Sequence, residues 1–198
     1  MFDISRFDKN KITKNDENIL KDIKTGNNQL FEMIYDKWNK KIFLYLMTIL
    51  NYNKEDANQI LSDVFMALYE FNKINEVTNC KQFLYATAHN KAVDWIKKKS
   101  EDYNQEMLKD NAIDNKDIEN KNNLNLTFKQ KLMQKYLNML NSEEKDVVHL
   151  YYYEDKSYEE IAQIIGSNKN TVGTLLSQAK KKLQEFVNRE GTRDILEN

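Results

Sequence analysis

Apolar side chains recur at spacings of three and four residues through most of the first hundred positions, and this period predicts amphipathic helices. The first periodic run covers residues 16–50, and Gly26 with the two asparagines after it divides the run into a short and a long helix. A second helix is predicted from about residue 54 to residue 70, and a third from about 81 to 99. Between these two, residues 72–79 are predicted to form a loop.

The hydrophobic period fails between residues 100 and 125 and then returns. Isolated apolar residues among many Asn, Asp and Glu predict a largely extended linker in this stretch. A helix is predicted over residues 128–140, and Asn141 and Ser142 are expected to cap the next helix. The chain therefore has a helical front, an irregular middle and a helical back.

Short signals near the C-terminus predict a helix-turn-helix. Ser157 and Glu160 have the spacing of a capping box, so a short helix should begin there. Gly166 predicts a tight turn, and Asn168 is expected to cap the final helix. The inward stripe of that helix would be Val172, Leu176, Ala179, Leu183 and Phe186. A short helix, a glycine turn and a second helix with a polar outer face make up the motif.

The composition supports a helical chain with two modules. The 198 residues include no proline and four glycines, and 40% are hydrophobic. Because proline breaks helices, its absence fits an all-α fold. Residues 1–100 carry a net charge of +3, residues 101–126 a net charge of −4, and residues 127–198 equal numbers of acidic and basic side chains. We predict two small helical domains, 1–99 and 127–198, joined by a flexible acidic linker, 100–126.

Several classes of protein have no support in these residues. The N-terminus is polar and no apolar run approaches the ~20 residues of a spanning helix, so a cytoplasmic location without membrane insertion is expected. Cys80 is the only cysteine, which excludes an intrachain disulfide. His89 and His149 have no ligand pattern beside them, so no metal is expected. Without paired catalytic carboxylates, a phosphate loop or a nucleophile motif, no enzyme, catalytic residue or cofactor is predicted.

The polar face of the last predicted helix carries side chains suited to reading DNA. With the apolar stripe inward, the outward residues are Lys169, Asn170, Gly173, Thr174, Leu175, Ser177, Gln178 and Lys181. Asn and Gln can pair with adenine, Thr or Leu can contact the thymine methyl group, and lysines attract the DNA backbone. An ordinary helical hairpin with solvated lysines at residues 180–182 explains the same pattern, so both interpretations stay open.

Two stretches resemble one protein family. Residues 140–187, with the string SEEKDVVHLYYYEDKSYEEIAQIIGSNKNTVGTLLSQAKKKL, closely resemble the fourth conserved region of extracytoplasmic-function sigma factors of the sigma-70 family. Residues 19–99 resemble the second region of that family. This second likeness is carried by Val64, Phe65, Leu68, Phe83, Leu84, Tyr85, Ala88, Asn90, Asp94, Lys97, Lys98 and Lys99. Two regions in the right order, joined by an acidic linker, are more specific than either alone.

The resemblance implies a non-catalytic subunit that binds RNA polymerase core, at its largest and second-largest subunits, and directs promoter recognition, DNA opening and transcription initiation. The implied polymerase-binding residues are Ala57, Gln59, Ile60, Ser62, Asp63 and Phe65. The residues implied to bind the melted −10 strand are Ile74, Asn75, Lys81, Tyr85, His89, Asn90, Asp94, Lys97 and Lys98. The residues implied to read the −35 duplex are Lys169, Asn170, Thr171, Gly173, Thr174, Leu175, Ser177, Gln178 and Lys181.

Three of these assignments have plainer alternatives. Trp95 could present an aromatic face to a base or could belong to the core. His89, expected on the solvent side of its helix, could contact phosphate or could be an ordinary surface histidine. The acidic linker could thread towards channels that hold nucleic acid, or it could be a flexible tether.

The chain also departs from the family pattern. Many relatives have A-E-D-L-x-Q-E-x-F in the polymerase-contacting helix, where residues 57–65 read ANQILSDVF and keep one acid, Asp63. In the last helix, which would read the −35 duplex, many relatives have T-V-K-S-R-L-x-R-A. Here residues 171–179 read TVGTLLSQA, so three basic positions are lost. We therefore hypothesise that autonomous −35 recognition is weak and that another factor helps to select the target.

Rival interpretations remain at this stage. A free-standing helix-turn-helix regulator that binds duplex DNA as a dimer explains residues 140–187 but leaves residues 19–99 and the linker without a role. Co-purification with polymerase core would separate the two interpretations. A sigma factor could also be controlled by an anti-sigma or recruiting factor, whose identity does not follow from the sequence.

Overall fold

A computed structural model describes residues 15–24, 30–109 and 135–190 of the chain. Within these ranges the long regular elements are seven α-helices. They are α1 (Asp16–Lys24), α2 (Phe31–Ile49), α3 (Lys54–Ile74), α4 (Cys80–Lys109), α5 (Ser142–Tyr152), α6 (Tyr158–Ile164) and α7 (Lys169–Glu190). No strand occurs in the described part, so the predicted all-α fold class is confirmed there.

Helices α1–α4 form an N-terminal module around an apolar core. Its most deeply buried side chains come from all four helices and include Leu20, Ile34, Ile42, Leu46, Ile60, Leu68 and Leu84. Asn53 starts α3 by accepting the backbone N–H groups of Glu55 and Asp56, each at 3.1 Å. The buried Asn72 donates to the Leu20 carbonyl at 2.8 Å, which fastens α3 to α1.

Two capping boxes organise the C-terminal module. Asn141 accepts the Glu144 backbone N–H at 2.8 Å, and the Asn141 N–H donates to the Glu144 carboxylate at 3.0 Å. Ser157 and Glu160 make the same reciprocal pair at the start of α6. Gly166 then adopts a φ of +63°, a left-handed conformation that favours glycine. The turn leads from α6 into α7, so the predicted helix-turn-helix is confirmed.

The two modules pack directly against each other. Helix α2 contacts α5, and α4 contacts α6. The apolar core is continuous across this boundary. At the boundary, the ring of Tyr45 lies 5.1 Å from that of Tyr85 and 5.3 Å from that of His149. The hydrophobic pattern did not predict this contact, because it describes the faces of single helices.

Helices α3 and α4 are longer than predicted. Helix α3 ends at Ile74 instead of near residue 70, which shortens the predicted loop to residues 75–79. Helix α4 continues to Lys109, so the prediction of an extended linker from residue 100 is wrong for its first ten residues. These ten contain Lys, Glu, Gln, Met and Leu without glycine or proline, and such good helix formers propagate a helix even without an apolar stripe.

Some predicted features lie outside the described residues. They are the helix break at Gly26, residues 110–126 of the predicted linker and residues 128–134 of the predicted helix. At the end of that helix, residues 135–137 are helical and residues 138–140 form a turn and bend. The domain limits near residues 99 and 127 stay predictions.

Replacing Ser157 with Ala removes the hydroxyl oxygen that accepts the Glu160 N–H at 3.3 Å. The free energy of unfolding should fall by about 1 kcal/mol, because one amide of the first turn loses its acceptor. Urea unfolding followed by circular dichroism measures the change. Ser157→Asn is the matched control, since Asn caps helices as well as Ser does. Equal losses in the two variants would contradict the capping role.

Candidate nucleic-acid and polymerase interfaces

The outer face of α7 is polar and open to solvent. Asn168 caps the helix by accepting the Thr171 N–H at 2.9 Å, and Val172 and Ala179 are fully buried on the opposite side. This anchoring exposes the predicted DNA-reading residues Lys169, Asn170, Thr174, Ser177, Gln178 and Lys181. Thr171 and Gly173 are partly exposed. A shallow groove on this face is also lined by Tyr158, which the sequence interpretation missed.

Leu175 does not belong to the outer face of α7. Its side chain is 9% exposed and forms part of the core, so the prediction that it points outward is wrong. Leu175 follows Val172 by three positions and precedes Ala179 by four, which places it within the apolar stripe. The stripe is therefore wider than the one-residue-per-turn series read from the sequence.

Part of the positive charge on α7 is already paired within the C-terminal module. The Lys182 ammonium group lies 2.8 Å from a carboxylate oxygen of the buried Glu144. Lys169 donates to Glu159 on α6. Lys180 and Lys181 are exposed. The charge available to a DNA backbone is consequently smaller than the lysine run suggests.

Gly173 occupies a position where a side chain would fit. A Cβ atom added there would lie 3.5 Å from Cε2 of Tyr158, an ordinary van der Waals contact. A glycine inside a helix costs roughly 1 kcal/mol relative to alanine. The neighbouring atoms therefore leave room for a side chain, so steric crowding does not explain the glycine at this position.

Half of the residues predicted to contact polymerase on α3 are internal. Ala57, Ile60 and Phe65 are buried, so they support the helix from inside and do not form its outer face. The exposed members of the set are Gln59, Ser62 and Asp63. Met66, which is 60% exposed, lies one turn beyond them and was missed. Its spacing of four residues from Ser62 and three residues from Asp63 was a signal for a shared face.

The residues predicted to bind a melted strand fall into an exposed group and a covered group. The exposed group is Asn75, Asn90, Asp94, Lys97 and Lys98. The covered group, Lys81, Tyr85 and His89, lies against the C-terminal module. Trp95 packs against the core, and the side chain of Ile74 lies outside the described part.

A carboxylate from α5 is the central polar group between the modules. Asp146 is 2% exposed and accepts hydrogen bonds from the Tyr45 hydroxyl on α2 and from Nδ1 of His89 on α4. The His89 side chain is 13% exposed, so its expected position on the solvent side is wrong. A carboxylate this deeply buried requires such donors, because an unpaired buried charge is strongly destabilising.

A second set of polar contacts joins α4 to the turn after α5 and to α6. Nζ of Lys81 lies 3.7 Å from a carboxylate oxygen of Glu154 and 3.3 Å from its backbone oxygen. The Gln82 amide donates to the Gln163 side-chain oxygen at 2.8 Å. Burial lowers the pKa of Lys81, and burial together with the nearby Glu154 carboxylate raises the pKa of Tyr85.

His149 is a buried histidine on the same boundary. Its Nδ1 atom lies 3.1 Å from Oγ1 of Thr48, and its ring stacks on Tyr153 with centroids 5.2 Å apart. Burial lowers the pKa of His149 to about 4, although the carboxylates of Glu154 and Asp146 act in the opposite direction. The ring is therefore uncharged at neutral pH.

The described ranges offer no arrangement for metal chemistry, because they hold no group of three or more His, Cys, Asp and Glu side chains placed to bind an ion. None of the helices in these ranges contains an apolar stretch of the length that a membrane span requires. Cys80 is buried, and burial raises the pKa of its thiol to about 12. The thiol therefore stays protonated and unreactive in the folded chain.

Comparison with known proteins decides between the rival interpretations. Residues 130–183 match the family model described as Sigma-70, region 4, which covers α5, α6 and most of α7. The chain is also 24% identical over 156 residues to the RNA polymerase sigma factor YlaC of Bacillus subtilis strain 168. That alignment covers 78% of this chain and 90% of the relative. The C-terminal module thus matches region 4 of sigma-70 proteins, and the chain as a whole is similar to an RNA polymerase sigma factor.

Two solved structures share the fold of this chain. The sigma factor RpoE of Bartonella quintana, in complex with the anti-sigma factor NepR, matches with a TM-score of 0.62 at 20% identity, over 80% of this chain and 96% of RpoE. CnrH, in complex with the cytosolic domain of CnrY, matches with a TM-score of 0.61 at 14% identity, over 88% of this chain and 97% of CnrH. The family recognised from the sequence is confirmed.

The depressed pKa of His149 predicts a pH dependence of stability. Between about pH 4 and pH 6.5 the unfolded chain binds a proton at this histidine that the folded chain excludes, so stability falls as the pH is lowered through that window. The loss from this group should approach about 3 kcal/mol near pH 4. Urea unfolding between pH 4 and pH 7 measures it, with His149→Asn as the comparison. An identical pH dependence in both proteins would contradict the assignment.

Proposed function

We propose that this sigma factor binds RNA polymerase core through the exposed face of α3, holds the melted −10 strand on α4 and reads the −35 duplex with α7. It acts as a non-catalytic subunit that directs promoter recognition, DNA opening and transcription initiation. The observation that carries the proposal is the capped, open and polar face of α7 within the residues that match sigma-70 region 4.

The chemistry of α7 supports duplex reading. The amides of Asn170 and Gln178 can form paired hydrogen bonds with adenine in the major groove, and Thr174 can contact a thymine methyl group. Lys180 and Lys181 are exposed and can approach phosphates. The buried side of the helix holds these groups in a fixed orientation, which base-specific hydrogen bonds require.

The spacing on α4 supports binding of a single strand. Asn90, Asp94, Lys97 and Lys98 are exposed and follow one another at four, three and one positions, so they share one side of the helix. Amide and carboxylate groups can bond the edge of a flipped base, while lysines attract the strand backbone. Asn75 is also exposed, and it lies in the loop that precedes α4 in the sequence.

The exposed face of α3 supports docking on a larger partner. It combines the polar side chains Gln59 and Ser62 with one acid, Asp63, and the exposed thioether of Met66. Methionine adapts its shape to a partner surface, and a single carboxylate contributes one charged contact. Polymerase binding by this sigma factor should therefore depend less on charge than in relatives with three acids in this helix.

The structure places the three lost basic positions differently, and this bears on the hypothesis that −35 recognition is weak. Gly173 and Gln178 lie on the open face, where a basic side chain could reach DNA, whereas Leu175 belongs to the core. Two of the three replacements therefore remove possible phosphate contacts. We propose that a recruiting factor compensates for them. An anti-sigma partner is also proposed, because the relative RpoE was solved in complex with the anti-sigma factor NepR.

Run-off transcription with purified polymerase core, this chain and a library of genomic promoter fragments tests the proposed function. We expect transcripts that require the chain but depend little on the −35 sequence. Strong −35-dependent initiation without a helper would contradict weak recognition. If the chain bound no core and no transcript depended on it, the proposed function as a whole would be contradicted.

Gly173→Lys and Gln178→Arg should each strengthen binding to promoter duplex, because each adds a cation on the open face of α7. For each new phosphate contact, the slope of log affinity against log salt should steepen by about 0.9. Fluorescence anisotropy at several salt concentrations measures both effects. Asn58→Arg is the control, since Asn58 is exposed on α3 and lies outside the helix-turn-helix. Equal gains in the control would mean that added charge alone explains the result.

A further inference from the structure

We infer that a notch on the open face of α7 receives the 5-methyl group of a thymine in the bound duplex. The ring of Tyr158 forms the floor of this notch, and Gly173 leaves the ring uncovered. Tyr158 thereby determines sequence specificity, although it belongs to α6 and not to the reading helix. The inference rests on the proposed function, because it takes α7 as the helix that reads the duplex.

The missing side chain of Gly173 creates the notch. A Cβ atom at this position would lie 3.5 Å from Cε2 and 4.0 Å from Cδ2 of the Tyr158 ring. Any longer side chain would start in contact with this edge of the ring and could extend across it. Glycine therefore lets a ligand approach the helix backbone closely and reach an apolar surface there.

The Tyr158 ring is held in place from behind. It packs against the apolar core, and its centroid lies 5.5 Å from that of Tyr151 in an edge-to-face arrangement. The Tyr158 side chain is partly buried, so it loses little freedom when a ligand covers the rest of it. Such a fixed apolar surface suits a methyl group, which is recognised by shape because it forms no strong hydrogen bond.

The surroundings of the notch suit the edge of a base better than a phosphate. The Thr174 hydroxyl donates to the Asn170 carbonyl at 3.0 Å, so the methyl group is the part of Thr174 that remains for a ligand. Lys169 lines the same groove but is paired with Glu159, whose carboxylate offsets the lysine charge and would repel a phosphate. In the major groove, the 5-methyl group is the apolar feature that marks a thymine.

Replacing thymidine with deoxyuridine tests the inference, because the two bases differ only in the methyl group and both pair with adenine. A promoter fragment that supports chain-dependent transcription is synthesised with single replacements along its upstream duplex. Binding to polymerase core loaded with the chain is measured by competition against the unmodified fragment. At the position read by the notch, affinity should fall about fourfold, as expected for the loss of one buried methyl group. Equal affinities at every position would overturn the inference.

Variants that fill the notch should abolish this difference. Gly173→Gln and Gly173→Lys cover the Tyr158 ring, so each should bind the two forms of the fragment equally, even though the lysine raises overall affinity. Lys181→Gln is the matched control, because Lys181 is exposed on α7 but does not line the groove. It should bind more weakly and keep the difference. A difference that persists in both filled variants would also overturn the inference, since the methyl group would then be read elsewhere.

Two variants of Tyr158 separate the ring from the hydroxyl. Tyr158→Phe keeps the floor of the notch and should keep the difference between thymidine and deoxyuridine, whereas Tyr158→Ala should remove it. If Tyr158→Ala does not fold, Gly173→Gln decides, since its Cβ atom fits without a clash.

Failure of the inference is distinguishable from failure of the proposed function. Chain-dependent transcription without any effect of the methyl group overturns the inference alone. If no promoter fragment gives chain-dependent transcription, the proposed function fails and the inference fails with it.

Discussion

One buried carboxylate fixes how the two helical modules of this protein meet. Asp146 takes its hydrogen bonds from Tyr45 and His89, which lie 101 and 57 positions away along the chain. Removing either donor would leave a charge in a poorly solvated site, which is strongly destabilising. Burial and the Asp146 charge also raise the pKa of Tyr45, so its hydroxyl stays a donor. Together with the continuous apolar core, these hydrogen bonds hold α2, α4 and α5 against one another.

The same constraint connects packing with DNA binding. Helix α4 is both a wall of the N-terminal core and the proposed platform for a melted strand. Its covered side chains, such as His89, satisfy carboxylates of the C-terminal module, while Asn90 and Lys97 face solvent. The proposed binding residues Gln59 on α3 and Gln178 on α7 are exposed as well.

Sequence reasoning predicted the helices that carry the candidate residues but misjudged the exposure of individual side chains. On α7 the polar residues were predicted correctly because they oppose a strong apolar stripe. The burial of Leu175 was not predicted. It lies at the edge of the apolar stripe, and the sequence pattern alone does not determine whether such a residue faces the core or the solvent. On α3, Ala57 and Ile60 match a family motif yet are buried, since a motif records conserved positions without separating those that contact a partner from those that support the helix.

What the sequence by itself determined is local. Helical spacing, the capping boxes at Asn141 and Ser157 and the turn at Gly166 act over a few residues, so they specify the helices and the helix-turn-helix directly. Only the tertiary structure decided that the two modules pack against each other and that His89 donates a hydrogen bond to Asp146. Burial of polar groups depends on residues brought together from distant parts of the chain, and no local pattern encodes which of them will meet.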